Sequence, residues 1–129
     1  AEPESIVKTS DSVLVGTYDS GLFRMSIEDE TDTDVFNTEN SPLASDRILG
    51  MATLGDEIWV GFADQPAIHS YTYNAEAGLQ AQQQVALPED ADSVRVESLV
   101  VTRDLIVATL GNTTYTKIRN EESEWRAAI

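Results

Sequence analysis

Residues 56–71, DEIWVGFADQPAIHSY, hold the unit from which the rest of the chain is built. Ile58, Val60 and Phe62 alternate with Trp59 and Gly61, the period-two pattern of a strand with two distinct faces. Asp64–Pro66 breaks that run, and a second extended run, Ala67–Tyr73, follows it. Two weaker copies flank the unit: Ser12–Met25, SVLVGTYDSGLFRM, and Asp104–Ile118, DLIVATLGNTTYTKI. Setting Val13 against Ile58 and Leu105 gives an internal spacing of 45 and then 47 residues. A spacing of that size is the signature of a repeat array.

Outward from this unit, the same alternation predicts short strands along the whole chain. The first unit, residues 4–40, is expected to hold strands at Glu4–Ser10, Val13–Thr17, Leu22–Ile27 and Val35–Asn37. The second, residues 41–87, holds Ile48–Leu54, Glu57–Phe62, Ala67–Tyr73 and Leu79–Leu87. In the last of these Ala, Gln and Glu favour helix, and only the repeat argues for strand. The third, residues 88–129, holds Val94–Val101, Leu105–Leu110, Thr113–Ile118 and, after Asn120–Glu122, Trp125–Ile129. Turn chemistry separates them, as at Asp19-Ser20-Gly21 and Gly55-Asp56.

The expected fold is therefore all-β: three four-stranded units of the β-propeller-blade type in one domain, a partial propeller. Under the 45- and 47-residue spacing Val15, Val60 and Val107 form an apolar column, and Gly16, Gly61 and Ala108 a small-residue column that lets sheets approach. A β-sandwich would also use short strands, but it does not account for turns, small residues and apolar columns recurring together.

Composition bounds the function. The 129 residues carry a formal net charge of −15, 41% are hydrophobic, and Lys8 and Lys117 are the only lysines among eight basic residues. Acidic residues are spread along the chain, which describes a charged surface on a folded body. Such a surface stays hydrated at molar salt, where screening acts over about 3 Å. The pattern resembles proteins of extreme halophiles; an acidic secreted protein is the rival reading. A field this negative disfavours nucleic acid and anionic membranes, and no apolar run approaches a membrane span. The start at Ala1 is expected of a processed form or of a segment of something longer. With no cysteine, disulfides, thiolate metal sites and cysteine nucleophiles are excluded.

Leu43, Ser45, Asp46, Arg47 and Ile48, followed by Trp59, Val60 and Gly61, resemble the two-component-regulator propeller repeat. There a "leu-ser-ser-asp-arg-val" entry precedes a "leu-trp-ile-gly-thr" strand. Val15, Gly16, Thr17, Gly21, Leu22, Phe23 and Arg24 are similar to its "ile-gly-thr … gly-leu-tyr-arg" segment. The third unit departs, with Ile106 for the Trp, Ala108 for the Gly, and Asn112-Thr113-Thr114-Tyr115 where Gly-Leu is expected. The resemblance implies a blade of a seven-bladed sensor domain in a membrane-bound signalling protein, outside the membrane. If it does not hold, the cytoplasm of a halophile is the expected compartment.

Candidate chemistry is sparse. Asp29, Glu30, Asp32 and Asp34 invite a calcium reading, but the run lacks the glycine and closing glutamate of an EF-hand loop, so a solvated acidic turn is expected. Pro88-Glu89-Asp90-Ala91-Asp92 reads the same way. His69, the single histidine, has no nucleophile motif beside it and is expected to be an ordinary strand residue. With twenty-three acidic residues some glycosidase-like pair is always at hand, so none is assigned. Gly16 and Gly61 lie inside strands and form no phosphate loop. Trp59 is expected in the core; Trp125, Tyr18 and Tyr71 are open between core and planar-ligand stacking.

No catalytic, cofactor-binding or metal-ligating residue is assigned, and the ligand-binding residues are left open. The expected function is a non-catalytic module that senses or binds a small ligand or protein. The alternatives are a fragment of a hydrolase or lyase propeller and a purely structural assembly unit. Three units do not close a ring, so self-association as a dimer, or completion by further blades of a larger protein, is expected.

Overall fold

The computed structural model describes residues 2–119 and 124–128, and among these it is all-β without a helix. Twelve strands form three antiparallel four-stranded sheets. The first sheet is β1 (Pro3–Lys8), β2 (Ser12–Thr17), β3 (Leu22–Ser26) and β4 (Thr33–Phe36). The second is β5 (Ile48–Leu54), β6 (Glu57–Phe62), β7 (Ala67–Asn74) and β8 (Gly78–Ala86). The third is β9 (Val96–Val101), β10 (Leu105–Leu110), β11 (Thr113–Ile118) and β12 (Arg126–Ala127). Each sheet is a meander of consecutive strands in chain order. The expected Asn120–Glu122 connection and Ile129 lie outside the described residues.

Alternation alone places most of these strands, and the turn that closes the β5–β6 hairpin has a local reason. Between β5 and β6, Leu54 pairs with Glu57 across two residues, and Gly55 turns there at φ 59°, where a Cβ would be strained. Strand β8 forms against its composition. It pairs with β7 from Asn74↔Gly78 to Ala67↔Ala86, satisfying the outer edge of a strand whose Ala67, Ile68, Ser70 and Tyr71 are buried. Those main-chain bonds and the burial of Leu79 outweigh a propensity of a few tenths of a kcal/mol per residue.

The sheets stack through their first strands, β1 and β2 on β5, then β5 and β6 on β9. Two cores result. Leu14, Leu22, Met51, Ile58, Val60 and Tyr71 fill the space between the first and second sheets. Trp59, Ile68, Val96, Leu99, Ile106 and Ala108 fill the space between the second and third. The second sheet is thus buried on both faces, and each fully buried aliphatic side chain stabilises by about 1.5–3 kcal/mol.

The close approach that Gly16 and Gly61 predict is present. A Cβ on Gly16 would lie 2.5 Å from Ile48 Cγ2, and one on Gly61 2.5 Å from Val96 Cβ. The expected third member of that column is wrong. Tyr18 N donates to Glu2 O, Ala63 N to Arg47 O and Gly111 N to Arg95 O, so the units are spaced by 45 and then 48 residues. Ile106, not Leu105, therefore matches Ile58, and Ala108 matches Val60 in a core. Val107 stands where Trp59 does, and Thr109 where Gly61 does, both on the outer face of the third sheet. A one-residue slip exchanges the faces of a strand, and β10 is apolar enough on both to hide the slip in its sequence.

Candidate functional site

The 48-residue spacing between the second and third units brings a shared entry motif into register. Ser45-Asp46-Arg47-Ile48 leads into β5, and Ser93-Val94-Arg95-Val96 leads into β9. In both loops the serine Oγ accepts from the arginine N–H two residues on, at 3.0 Å. This local turn aims each arginine out of the same end of its sheet just before the first strand begins. The signal was present in the sequence as Ser-x-Arg-aliphatic, but a 47-residue spacing puts it out of register.

At that end the two arginines meet Tyr18, which follows β2 of the first sheet. The guanidinium carbons of Arg47 and Arg95 each lie 5.8 Å from the Tyr18 ring centroid. Arg95 Nη1 donates to the Tyr18 hydroxyl at 3.4 Å, and Arg95 Nε donates to Glu97 Oε1 at 3.1 Å. The bonds to Tyr18 and Glu97 raise the Arg95 pKa above its ordinary value. Arg47 is exposed and makes no hydrogen bond through its guanidinium among the described residues. Beside it Thr38, Asp46, Asp64 and Gln65 line an open recess. Asp46 is already engaged, accepting from Thr38 N at 2.9 Å. The cluster draws one residue from each sheet, so it also pins the three sheets at one end, with each exposed cation–π contact worth about 0.5–1 kcal/mol. Chemically, an unengaged guanidinium beside an aromatic face is a receptor for a planar anion, a carboxylate above all. Two of the eight basic residues of a −15 chain converge here.

The other candidate residues resolve as structure. Trp59 is fully buried, its Nε1 donating to Glu57 Oε1 at 2.9 Å, with the Arg119 guanidinium 5.3 Å from its ring. Tyr71 is buried and its hydroxyl accepts from Ala44 N at 3.0 Å; burial pushes its pKa up. Trp125 donates to Ala86 O at 2.8 Å and lines a recess of about 500 Å³ with Lys117, Glu89 and Asp90, where the second acidic turn lies. His69 sits edge-on to Phe62 at 5.6 Å and stacks on Tyr71 at 6.3 Å; burial lowers its pKa.

The acidic run at residues 29–34 is a turn but not a merely solvated one. Asp29 accepts from Thr31 N and Oγ1 at 3.0 and 2.7 Å, which lowers its pKa. Asp34 and Asp32 instead take the buried Arg24, at 2.8 and 3.3 Å, while Arg24 Nε donates to Ser12 Oγ and its guanidinium lies 4.1 Å from the Tyr73 ring centroid. Burial works against the Arg24 charge, but the Asp32 bond and the Tyr73, Asp32 and Asp34 charges outweigh it and raise the pKa. Among the described residues no three His, Cys, Asp or Glu side chains are grouped to hold a metal ion. No helix among them is long and apolar enough to cross a membrane.

No family model matches the sequence, and no curated protein matches it. Among solved structures, the fold is similar to a chain of an S. cerevisiae complex described as a dbp5 variant bound to nup159, a gle1 variant, IP6 and ADP. The identity is 13% and the TM-score 0.51, over 98% of this chain and 47% of that one. At that identity the likeness bears on fold alone, and this chain spans about half the length of the chain it matches.

Proposed function

We propose that the chain is a non-catalytic sensing or interaction module, a run of three β-propeller-type blades from a halophile-like source. It takes a carboxylate-bearing ligand at the end where Tyr18, Arg47 and Arg95 converge. The observation that carries this reading is the Ser-x-Arg entry repeated in the second and third units, which delivers two arginines to the same aromatic ring, while the first unit has Glu2 at the equivalent position. Arg47 supplies an open planar fork, Tyr18 a face for the ligand to lie against, and Arg95 a second cation already oriented by Glu97. Every step is recognition; binding would be passed on through the sheets that the cluster ties together. The likeness of Leu43–Ile48 and Trp59–Gly61 to two-component-regulator repeats supports a sensor role in the same direction.

The test is a titration of the labelled protein with succinate in molar KCl, read by NMR at backbone amides and arginine Nε–H groups. Shifts centred on Tyr18, Arg47 and Arg95 are expected at roughly tens of millimolar or below. Loss of those shifts in Arg47→Ala and Arg95→Ala, with unchanged succinate in the spectrum, supports binding without turnover. A titration that leaves the three residues unmoved overturns the site.

A further inference from the structure

The outer faces of the first and third sheets match, position by position, faces that are buried elsewhere in the same chain. With the 45- and 48-residue spacing, Ile6 corresponds to Met51 and Leu99. Ile6 is 69% exposed, whereas Met51 and Leu99 are 7% and 6% exposed in the two cores. On the opposite faces Val100 corresponds to Ala52. Val100 is 54% exposed and Ala52 8%. Across the ladder, Ile6, Val15, Phe23 and Val35 form one apolar row on the outer face of the first sheet. Val100 and Val107 form the matching pair on the outer face of the third.

Charge and size point to the same occupant. No acidic residue holds a ladder position on either outer face, in a chain with twenty-three of them. The exposed Glu4 and Glu97 fall at the bulges of β1 and β9, so the paired positions of both outer faces are free of acid on an otherwise anionic surface, as a covered face requires. In both internal interfaces a glycine meets a large side chain, Gly16 with Ile48 and Gly61 with Val96. At the outer faces the sizes are exchanged: Thr109 stands at the glycine position and Pro3 at the position of Ile48 and Val96. A larger residue on one face is thus met by a smaller one on the other, which conserves volume at the contact.

We propose that the occupant is a second copy of this chain. The outer face of the first sheet seats on the outer face of the partner's third sheet, and the two-fold axis repeats the contact to close a ring of six sheets. A closed two-fold pair leaves neither face exposed. This contact lies on the sheet faces and does not depend on ligand binding at the Tyr18 cluster.

Light scattering coupled to size exclusion in molar KCl tests it, with an expected mass twice the 14.1 kDa of the chain. Ile6→Glu and Val100→Glu change side chains that are mostly exposed within one chain, so each is expected to fold, with circular dichroism as the check. Each alone should weaken the dimer at least tenfold. Ile6→Glu combined with Val100→Lys should restore it, because the new charges face each other across the contact. A monomeric parent at high concentration overturns the proposal. So does a dimer that survives either single substitution, since pairing of like faces needs only one of the two.

Discussion

Replacing Gly61 with alanine tests the stacking of the sheets most directly. The added Cβ would lie 2.5 Å from Val96 Cβ and closer still to its Cγ1, inside any distance real side chains adopt. Neither strand can yield cheaply, because Trp59 and Ile106 are buried beside the contact and Val60 and Phe62 anchor the far side of β6. Overpacking of this kind costs about 1–3 kcal/mol. With a urea dependence of about 1–3 kcal/mol/M, the unfolding midpoint should fall by about 1 M. Val96→Gly removes the colliding atoms at a cost of its own of about 2–4 kcal/mol, from lost burial and a looser backbone. Combined, the two changes should cost less than the sum of their separate effects by at least about 1 kcal/mol. Urea melts in molar KCl of the parent, both single variants and the double measure that coupling, with Asp90→Asn as a surface control expected within about 0.5 kcal/mol. Additivity within about 0.5 kcal/mol would refute the argument that Gly61 is small because Val96 needs the room.

Thermal midpoints should rise steeply between dilute buffer and molar KCl, because the screening length shrinks from about 30 Å at roughly 0.01 M salt to about 3 Å across a chain of charge −15; equal midpoints would remove the halophile reading. Arg24→Met should cost about 1–3 kcal/mol by leaving Ser12 and Asp34 without their buried donor, the partly exposed carboxylates keeping the loss below that of a dry ion pair; a melt like the parent's would make this network idle. Burial lowers the His69 pKa below its ordinary 6.5, so the unfolded chain takes up the proton first and stability falls as pH drops from about 7 toward 5. His69→Gln should flatten that part of the pH dependence of the melting midpoint, and an unchanged slope would assign it to other groups.

Strand identity was legible because alternation is local chemistry: Glu57–Phe62 and Leu105–Leu110 could be bounded to the residue from their own letters and their turns. Even β8 was legible, though only through the repeat, since its Ala and Gln residues carry the opposite local preference. The acidic surface, the absent cysteine and the close approach at Gly16 and Gly61 also followed from residue types alone. Which face of β10 points inward did not. Leu105, Val107, Ile106 and Ala108 are all apolar, so periodicity says that the faces differ and is silent on which is buried. That was decided by the bonds from Gly111 to Arg95 and from Ala63 to Arg47, which connect residues far apart in sequence. The same bonds brought Ser93 and Arg95 into register with Ser45 and Arg47, and so assembled around Tyr18 a cluster whose three members come from three sheets. Arg24 makes the point in reverse. Asp32 and Asp34 read as a solvated turn because a sequence cannot weigh a partner on a neighbouring strand, and only the pairing of β3 with β4 puts Asp34 opposite Arg24. Local composition dictates what each segment can be, while contacts between distant residues choose among faces and partners that are locally equivalent in energy.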